Sequence, residues 1–267
     1  PLEFYMVGGL LENIFFLCSL LVWKLSGKKV ILILHQIILS LRIFYTPLIF
    51  LSKNIIVFEE KFKKALNNNK VIFIPHAVEK VKTVKKKPGK KFSALFFGYL
   101  SSYKGIRELS SFWKKTYGKL TIAGGGNPNH MNNYKYIGYL QSIKSTGFVP
   151  ENKIASFFSN TDLVIFPYKK FFSSSGPLAL TFAYSKPFIL SRPLEGYFES
   201  PDFQEALKIT NLQINDFIFD LNNNSFEKRL NWAKNNLNKL TTFSRIMKEK
   251  RSWKKIVQSY EKIINQI

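Results

Sequence analysis

Short apolar runs alternate with longer segments of helical period along most of this 267-residue chain. An apolar run of about four to eight residues is typical of a parallel strand covered on both faces, and apolar residues at every third or fourth position are typical of a helix. Strands are predicted in this way at 29–34, 54–58, 71–74, Ser93–Phe97, Lys119–Ala123, 162–166 and 187–190. The alternation predicts an α/β fold built from βαβ units.

A lysine-rich segment separates the alternating pattern into two blocks. Residues 80–91 contain seven lysines around Pro88 and Gly89. A segment with this charge cannot bury itself, so we predict a solvated linker between two α/β blocks. The last part of the chain, from Ser225 onward, has helical period throughout. The sequence thus predicts two α/β units followed by C-terminal helices.

The charge of the chain favours anionic partners. The formal net charge is +23, and a field of this strength attracts nucleotide phosphates, nucleic acid or an anionic lipid surface. Most of the excess is lysine, and the sequence has neither an arginine-rich recognition helix nor an aromatic RNA-binding strand. We therefore expect no nucleic-acid partner. The single cysteine, Cys18, excludes an intrachain disulfide and favours the reducing cytoplasm.

Two apolar stretches near the beginning raise the question of membrane contact. Residues 10–23 are too few to cross a bilayer, and residues 30–51 are interrupted at Arg42 and Pro47. We therefore expect no transmembrane helix. The second stretch is predicted to be a strand followed by an apolar helix at 38–51, and this helix has the composition to rest on a membrane surface.

Four strand ends in the second block carry residues that suit an anionic ligand. Ligands of open α/β sheets bind outside the carboxyl ends of the strands. The four segments are FGYLSSYKG with Gly98 and Lys104, AGGG with Gly124, Gly147-Phe148-Val149-Pro150, and Ser173-Ser174-Ser175-Gly176. We predict that helices begin at Lys104 and Ser173, and the free N–H groups and dipole of a helix start attract anions. The serines have an alternative role as helix caps, and the glycines as turns.

The order of these segments resembles the donor domain of GT-B glycosyltransferases of the family-four type. The resemblance rests on FFGYLSSYKGIREL, LTIAGGG, GFVPENKIASFFSNTDLVIFPY and SSSGPLALTFAYSKPFILS, preceded by VIFIPHAVE. It implies two Rossmann-like domains, the first partial at 1–79 and the second, which binds the nucleotide sugar, at 92–250. The lysine-rich linker at 80–91 would join them, and a helix at 251–267 would return to the first domain. Because acceptor domains of this family are usually much longer, we expect a chain truncated at its beginning.

The resemblance also implies a reaction. A sugar would move from a nucleotide diphosphate sugar to a hydroxyl of a glycan or lipid-linked acceptor, with retention at the anomeric carbon and without a metal or a cofactor. By position, His35 would be catalytic, and a histidine merely satisfied at a strand end is the alternative. The donor phosphates would be held by Lys104, Ser174, Ser175 and Gly176, and the nucleotide by Gly98, Tyr99, Gly124, Phe148 and Val149. His76 is expected to be structural.

Three positions depart from the family pattern. Tyr99 stands where an arginine is expected, and Phe172 and Leu180 stand where two glutamates are expected, the second of them a ribose contact. A phenol does not replace a guanidinium towards a diphosphate. The sequence therefore leaves open a catalytically inactive nucleotide- or glycan-binding relative. Either way we expect a cytoplasmic protein, with peripheral contact to the anionic inner face of the membrane.

Overall fold

Two parallel sheets organise the fold. The computed structural model describes residues 10–38, 43, 45–82, 91–126, 142–173 and 175–266, with the backbone alone for 10–13. A three-stranded sheet precedes a six-stranded one, and every strand pair is parallel. Helices lie in most of the connections between strands that the structure describes. The predicted α/β class and its βαβ units are confirmed.

The first sheet has the strand order β1-β2-β3. Its strands are β1 Ile31–Leu34, β2 Asn54–Val57 and β3 Val71–Phe73, and its helices are α1 Leu10–Leu25, α2 Thr46–Leu51 and α3 Glu60–Leu66. The helix predicted at 38–51 is wrong at its first residue, because Ile38 is not helical, and α2 starts at Thr46 with Pro47 in its first turn. Residues 39–42 and 44 of this prediction lie outside the described residues. Proline favours that position and disfavours helix before it. No helix in the described part of the chain is long and apolar enough to cross a bilayer.

The second sheet has the order β6-β5-β4-β7-β8-β9, which reverses direction between β4 and β7. Its strands are β4 Ser93–Phe97, β5 Lys119–Ala123, β6 Ile143–Ser145, β7 Leu163–Phe166, β8 Phe188–Ser191 and β9 Ile218–Phe219. Its connecting helices are α4 Ile106–Phe112, α5 Glu151–Ser159, α6 Gly176–Ala183 and α7 Pro201–Thr210. Every residue of β7 and β8 is buried, as the apolar runs predict. Such a reversal point is where doubly wound sheets bind their ligands.

Three helices close the chain and lead it back to the first sheet. They are α8 Asn223–Asn235, α9 Leu237–Lys250 and α10 Trp253–Ile264, so the predicted continuous helical tail is broken twice. Ile256 and Ile263 of α10 pack in one apolar cluster with Ile56 and Ile74 of the first sheet region. The amide of Val78 donates to the carbonyl of Arg251 at 2.7 Å. The chain therefore leaves the first sheet near Val78 and returns to it near Arg251, and these two segments lie side by side. Residues 83–90 of the predicted linker lie outside the described residues, and the domain boundaries stay a prediction.

Candidate functional site

The four strand ends singled out from the sequence lie together at the carboxyl edge of the second sheet. The amide of Leu100 donates to the carbonyl of Gly125 at 2.8 Å, and the amide of Gly124 donates to the carbonyl of Gly147 at 2.9 Å. A side chain on Gly98 would stand 2.9 Å from the ring of Pro177 in α6. The loops after β4, β5, β6 and β7 thus form one continuous surface.

Two glycines make this close approach possible. A Cβ atom on Gly124 would lie 1.8 Å from the carbonyl oxygen of Gly98, and one on Gly105 would lie 1.7 Å from that of Pro167. Gly105 also has a positive φ of 65°, a conformation that glycine adopts without strain. Gly105 therefore interrupts the helix that the sequence predicts from Lys104. A 3₁₀ turn spans Ser102–Lys104, and α4 begins only at Ile106.

Lys104 is buried in an aromatic surrounding. Its side chain is 5% exposed, and among the described residues it has neither a hydrogen bond nor an ion pair. Its Nζ atom lies 3.7 Å from the ring centroid of Tyr168, 5.0 Å from that of Tyr103 and 5.5 Å from that of Phe172. Burial lowers the pKa of Lys104 from 10.5 to about 7. A buried cation without a partner destabilises a folded chain, so this lysine has the character of an anion-binding group.

The helix start after β7 differs from the prediction in its first residue. Helix α6 begins at Gly176, and the Ser175 hydroxyl caps it by accepting from the amide of Leu178 at 3.4 Å. Pro177 has no N–H, which leaves the amide of Gly176 as the donor of the first turn without a partner among the described residues. Ser174 lies outside the described residues. The helix start thus offers one amide and its dipole to an anion, with Ser175 engaged as a cap.

Ser173 joins the two sheets instead of starting the helix. Its hydroxyl donates to the carbonyl of His35 at 2.6 Å, and its amide donates to Oε1 of Gln36 at 3.2 Å. Both partners directly follow β1 of the first sheet. The imidazole of His35 packs against Phe58, with ring centroids 4.8 Å apart. His35 therefore lies next to the loop that leads into α6, and its catalytic role stays a prediction.

A cavity of about 1140 Å³ adjoins this edge. Its wall includes Gly98, Tyr99 and Gly176 from the predicted nucleotide and phosphate sites, and also Leu180, which stands where the family has a glutamate. Lysines 80 and 82, the first turn of α5 and His76 complete much of the remaining wall. Lys104, Gly124, Phe148 and Val149 do not line this cavity. Phe148 is 79% exposed beside Gly125, whereas Val149 is buried, so only Phe148 presents its side chain to a ligand.

The residues around Lys104 include functional candidates that the sequence patterns did not single out. The Tyr168 hydroxyl is buried near Ser175, and burial raises its pKa. Tyr103 and Phe172 stack with centroids 5.3 Å apart. The position of Tyr168 in the sequence could have identified it as a candidate, because it lies two residues after the end of β7. Within the described ranges, no three His, Cys, Asp or Glu residues are grouped so that they could hold a metal ion.

Known structures share this architecture. Anabaena HepE, determined in complex with UDP, superposes with a TM-score of 0.72 at 11% identity, over 94% of this chain and 76% of that one. A glycosyltransferase from Rickettsia africae gives 0.72 at 15% identity, over 93% and 73%. The apo form of WaaB, a lipopolysaccharide outer core galactosyltransferase, gives 0.66 at 13% identity, over 94% and 74%.

This chain has the GT-B fold. The two parallel sheets and the helix α10 that returns to the first sheet are its elements here. No protein-family model matches the sequence, and no curated protein sequence does. The predicted fold is thus confirmed by three-dimensional similarity, at an identity of 11–15% in the three structures named above.

Proposed function

We propose that this GT-B chain is a glycosyltransferase that uses a nucleotide diphosphate sugar as its donor. The observation that carries the proposal is Lys104, a buried lysine at the reversal point of the second sheet that has no ion-pair partner in the described part of the chain. The Gly176 amide at the start of α6 adds a donor at the same edge. A diphosphate is the anion that suits a lysine and a helix start together. Structures of HepE with UDP and with UDP-glucose provide a precedent within the same fold.

The proposed chemistry depends on where negative charge develops during sugar transfer. Departure of the nucleoside diphosphate leaves negative charge on its outer phosphate, and a protonated Lys104 in a dry setting stabilises that charge strongly. We propose that Lys104 and the α6 dipole serve in place of a divalent cation, and that the sugar is transferred with retention and without a cofactor. His35 reaches the same loop through Ser173 and would contact the transferred sugar.

The nucleoside would occupy the large cavity. Its volume of about 1140 Å³ is slightly above the range of about 300–1,000 Å³ that small-molecule sites have. Gly98 and Tyr99 approach it from β4 and Leu180 from α6. Leu180 offers no hydrogen bond to a ribose, so this part of the site would bind through apolar contact.

The acceptor would be a glycan or a lipid-linked sugar at the cytoplasmic face of the membrane. Helix α1 exposes large apolar side chains, among them Phe15 at 75% and Leu25 at 78%, and Phe50 of α2 is 66% exposed. Lys24 in the last turn of α1 and Lys28, three residues after its end, are exposed. Apolar side chains bordered by lysines are complementary to an anionic bilayer surface. We propose peripheral contact with such a surface.

Activity assays with matched variants test the proposal. The protein would be incubated with UDP-, GDP- and dTDP-sugars and a membrane lipid extract, and transfer of radiolabelled sugar to lipid would be measured. We expect transfer from at least one donor, and a loss of at least tenfold in Lys104→Met. Lys208→Met, which alters an exposed lysine of α7, is the control and should keep full activity. Equal activity of the two variants would contradict the role of Lys104.

A catalytically inactive relative is the second candidate. It is favoured by Tyr99, which is 58% exposed where an arginine is expected, and by Leu180 in the cavity wall. Such a protein would bind nucleotide sugars through Lys104 without transferring the sugar. Calorimetric binding of a nucleotide sugar, together with no transfer and no hydrolysis in the same preparation, would favour this candidate over the enzyme.

A further inference from the structure

The partly exposed ring of Phe172 lies beside the buried Lys104. Tyr103 and Phe172 stack with centroids 5.3 Å apart and planes inclined by 20°. Phe172 is 39% exposed, whereas Lys104 is 5% exposed. The Nζ atom of Lys104 lies 5.5 Å from the centroid of Phe172. A ligand that reaches this lysine therefore meets the free surface of Phe172.

The ring is held in place from several sides. The Tyr197 hydroxyl donates to the carbonyl of Phe172, and the next residue, Ser173, is bonded to His35 and Gln36. Its stacking partner Tyr103 packs edge-on against the fully buried Tyr168, with centroids 6.0 Å apart. A fixed aromatic ring loses little conformational freedom when a ligand binds, so it is suited to recognition.

The position of the ring indicates which part of a donor it would meet. A phosphate oxygen bonded to Lys104 lies about 2.8 Å from Nζ. The sugar attached to that phosphate then comes within van der Waals reach of Phe172, since Nζ and the ring centroid are 5.5 Å apart. The backbone carbonyl of His35 lies beside Ser173, the residue that follows Phe172. The ring has no hydrogen-bonding group for a hydroxyl and offers apolar surface only.

We infer that the pair of Tyr103 and Phe172 is the platform on which the transferred sugar packs its carbon face, and that it selects a sugar bearing a methyl group. Sugars of this class are 6-deoxy and N-acetylamino sugars. A hydroxyl pressed on the ring loses bonds to water, whereas a methyl group gains about fourfold in affinity on burial. The inference rests on the proposed function, because it assigns the sugar of the same donor.

Calorimetry with matched donors tests the inference. The pairs are UDP-glucose with UDP-N-acetylglucosamine, dTDP-glucose with dTDP-6-deoxyglucose, and GDP-mannose with its 6-deoxy form, because each pair differs at one carbon. The free nucleoside diphosphates are measured alongside. For the nucleotide that binds, we expect the methyl-bearing sugar to bind at least fourfold more tightly than its partner. Phe172→Ala should abolish this preference, and the variant should still bind the free nucleoside diphosphate, which also shows that it is folded.

Tyr99→Ala is the control, since it removes another exposed aromatic side chain at the same edge. It should change the affinities for nucleoside diphosphate and nucleotide sugar by the same factor and keep the preference. Equal or tighter binding of the fully hydroxylated sugar, or a preference that persists in Phe172→Ala, would overturn the inference. Failure of the proposed function is distinct, because it would appear either as no binding of nucleoside diphosphate by the wild-type chain or as binding without transfer in the activity assay.

Discussion

At the scale of single residues, Lys104 shows what sequence reasoning reaches and what it misses. Its place after β4 is visible in the sequence, and so is its resemblance to a phosphate-binding lysine. Its burial is not, because the rings of Tyr103, Tyr168 and Phe172 come to it from two separate loops. The serine run was assigned as a unit, yet Ser173 bonds to the first sheet and Ser175 caps α6. Partners distant in sequence decide between such roles.

Removal of the buried charge should stabilise the ligand-free protein. The pKa of Lys104 is about 7 when folded and near 10.5 when unfolded, so the unfolded chain binds more protons between these values. Stability therefore rises with pH across that window, and the full penalty is present below pH 7. Lys104→Met keeps the apolar stem and should raise the free energy of unfolding at pH 7 by about 1–4 kcal/mol.

Urea denaturation measures this change. Lys208→Met, at an exposed position of α7, should stay within about 0.5 kcal/mol of the wild type. A marked loss of stability in Lys104→Met would show that the lysine is a structural residue and would count against an anion site.

At the scale of elements, most strands were predictable, whereas the starts of three helices, α2, α4 and α6, were misplaced. Four strands of the second sheet, β4, β5, β7 and β8, lie within one or two residues of their predicted bounds, because an apolar run in a buried parallel strand has few alternative structures. The short edge strands β6 and β9 were not predicted. The start of α4 was misplaced because Gly105 must fit against Pro167, a contact between separate loops. The start of α2 was misplaced although Pro47 signals it. Local sequence signals were sufficient to predict an element where no contact with a distant loop changes its bounds.

Close approach of the loops makes Gly124 sensitive to substitution. In Gly124→Ala the new Cβ atom would meet the carbonyl oxygen of Gly98 at 1.8 Å, so the two loops must separate. We expect a loss of about 2 kcal/mol or more in thermal or chemical unfolding. Gly176→Ala is the matched control, because its Cβ atom would meet nothing within 4 Å. Similar stability of the two variants would mean that the loops after β4 and β5 are not packed as described.

At the scale of the whole molecule, the two sheets are tied by contacts between residues distant in sequence. Ser173 bonds to the loop after β1, Val78 bonds to Arg251, and α10 packs on the first sheet region. The resemblance to GT-B proteins implied a returning helix, whereas hydrophobic periodicity alone gave only a helical tail. The aromatic surrounding of Lys104 and the cavity beside it also arise only when the connections are assembled.

The packing of α10 predicts a local effect on the first sheet. Ile256→Ala removes a buried side chain that packs with Ile56 of β2 and Ile74, at a cost of about 2–4 kcal/mol. Amide hydrogen exchange should accelerate in β2 and β3 and stay unchanged in β7. The control is Val257→Ala, which alters a side chain that is 43% exposed on the same helix. Faster exchange throughout both sheets would contradict the assignment of α10 to the first one.

The exposed face of α1 predicts binding to charged vesicles. Sedimentation with phosphatidylcholine vesicles containing phosphatidylglycerol should capture the protein, and vesicles of phosphatidylcholine alone should capture much less. Leu25→Asp places a negative charge on a side chain that is 78% exposed and should lower capture at least fivefold. Equal capture by both kinds of vesicle, or by both proteins, would contradict contact with an anionic membrane.

The pH dependence of nucleoside diphosphate binding tests the central claim most directly, since it follows the proton on Lys104. Calorimetry from pH 6 to 9 at constant ionic strength would compare the wild type with Lys104→Met. In the ligand-free protein the pKa of Lys104 is about 7, and Lys104 must be protonated when the diphosphate is bound. Wild-type affinity should therefore fall by up to about tenfold for each pH unit above pH 7. Lys104→Met should bind at least tenfold more weakly at pH 6 and change little above pH 7. Wild-type affinity that is flat above pH 7 and equal to that of Lys104→Met would contradict a diphosphate held by this lysine.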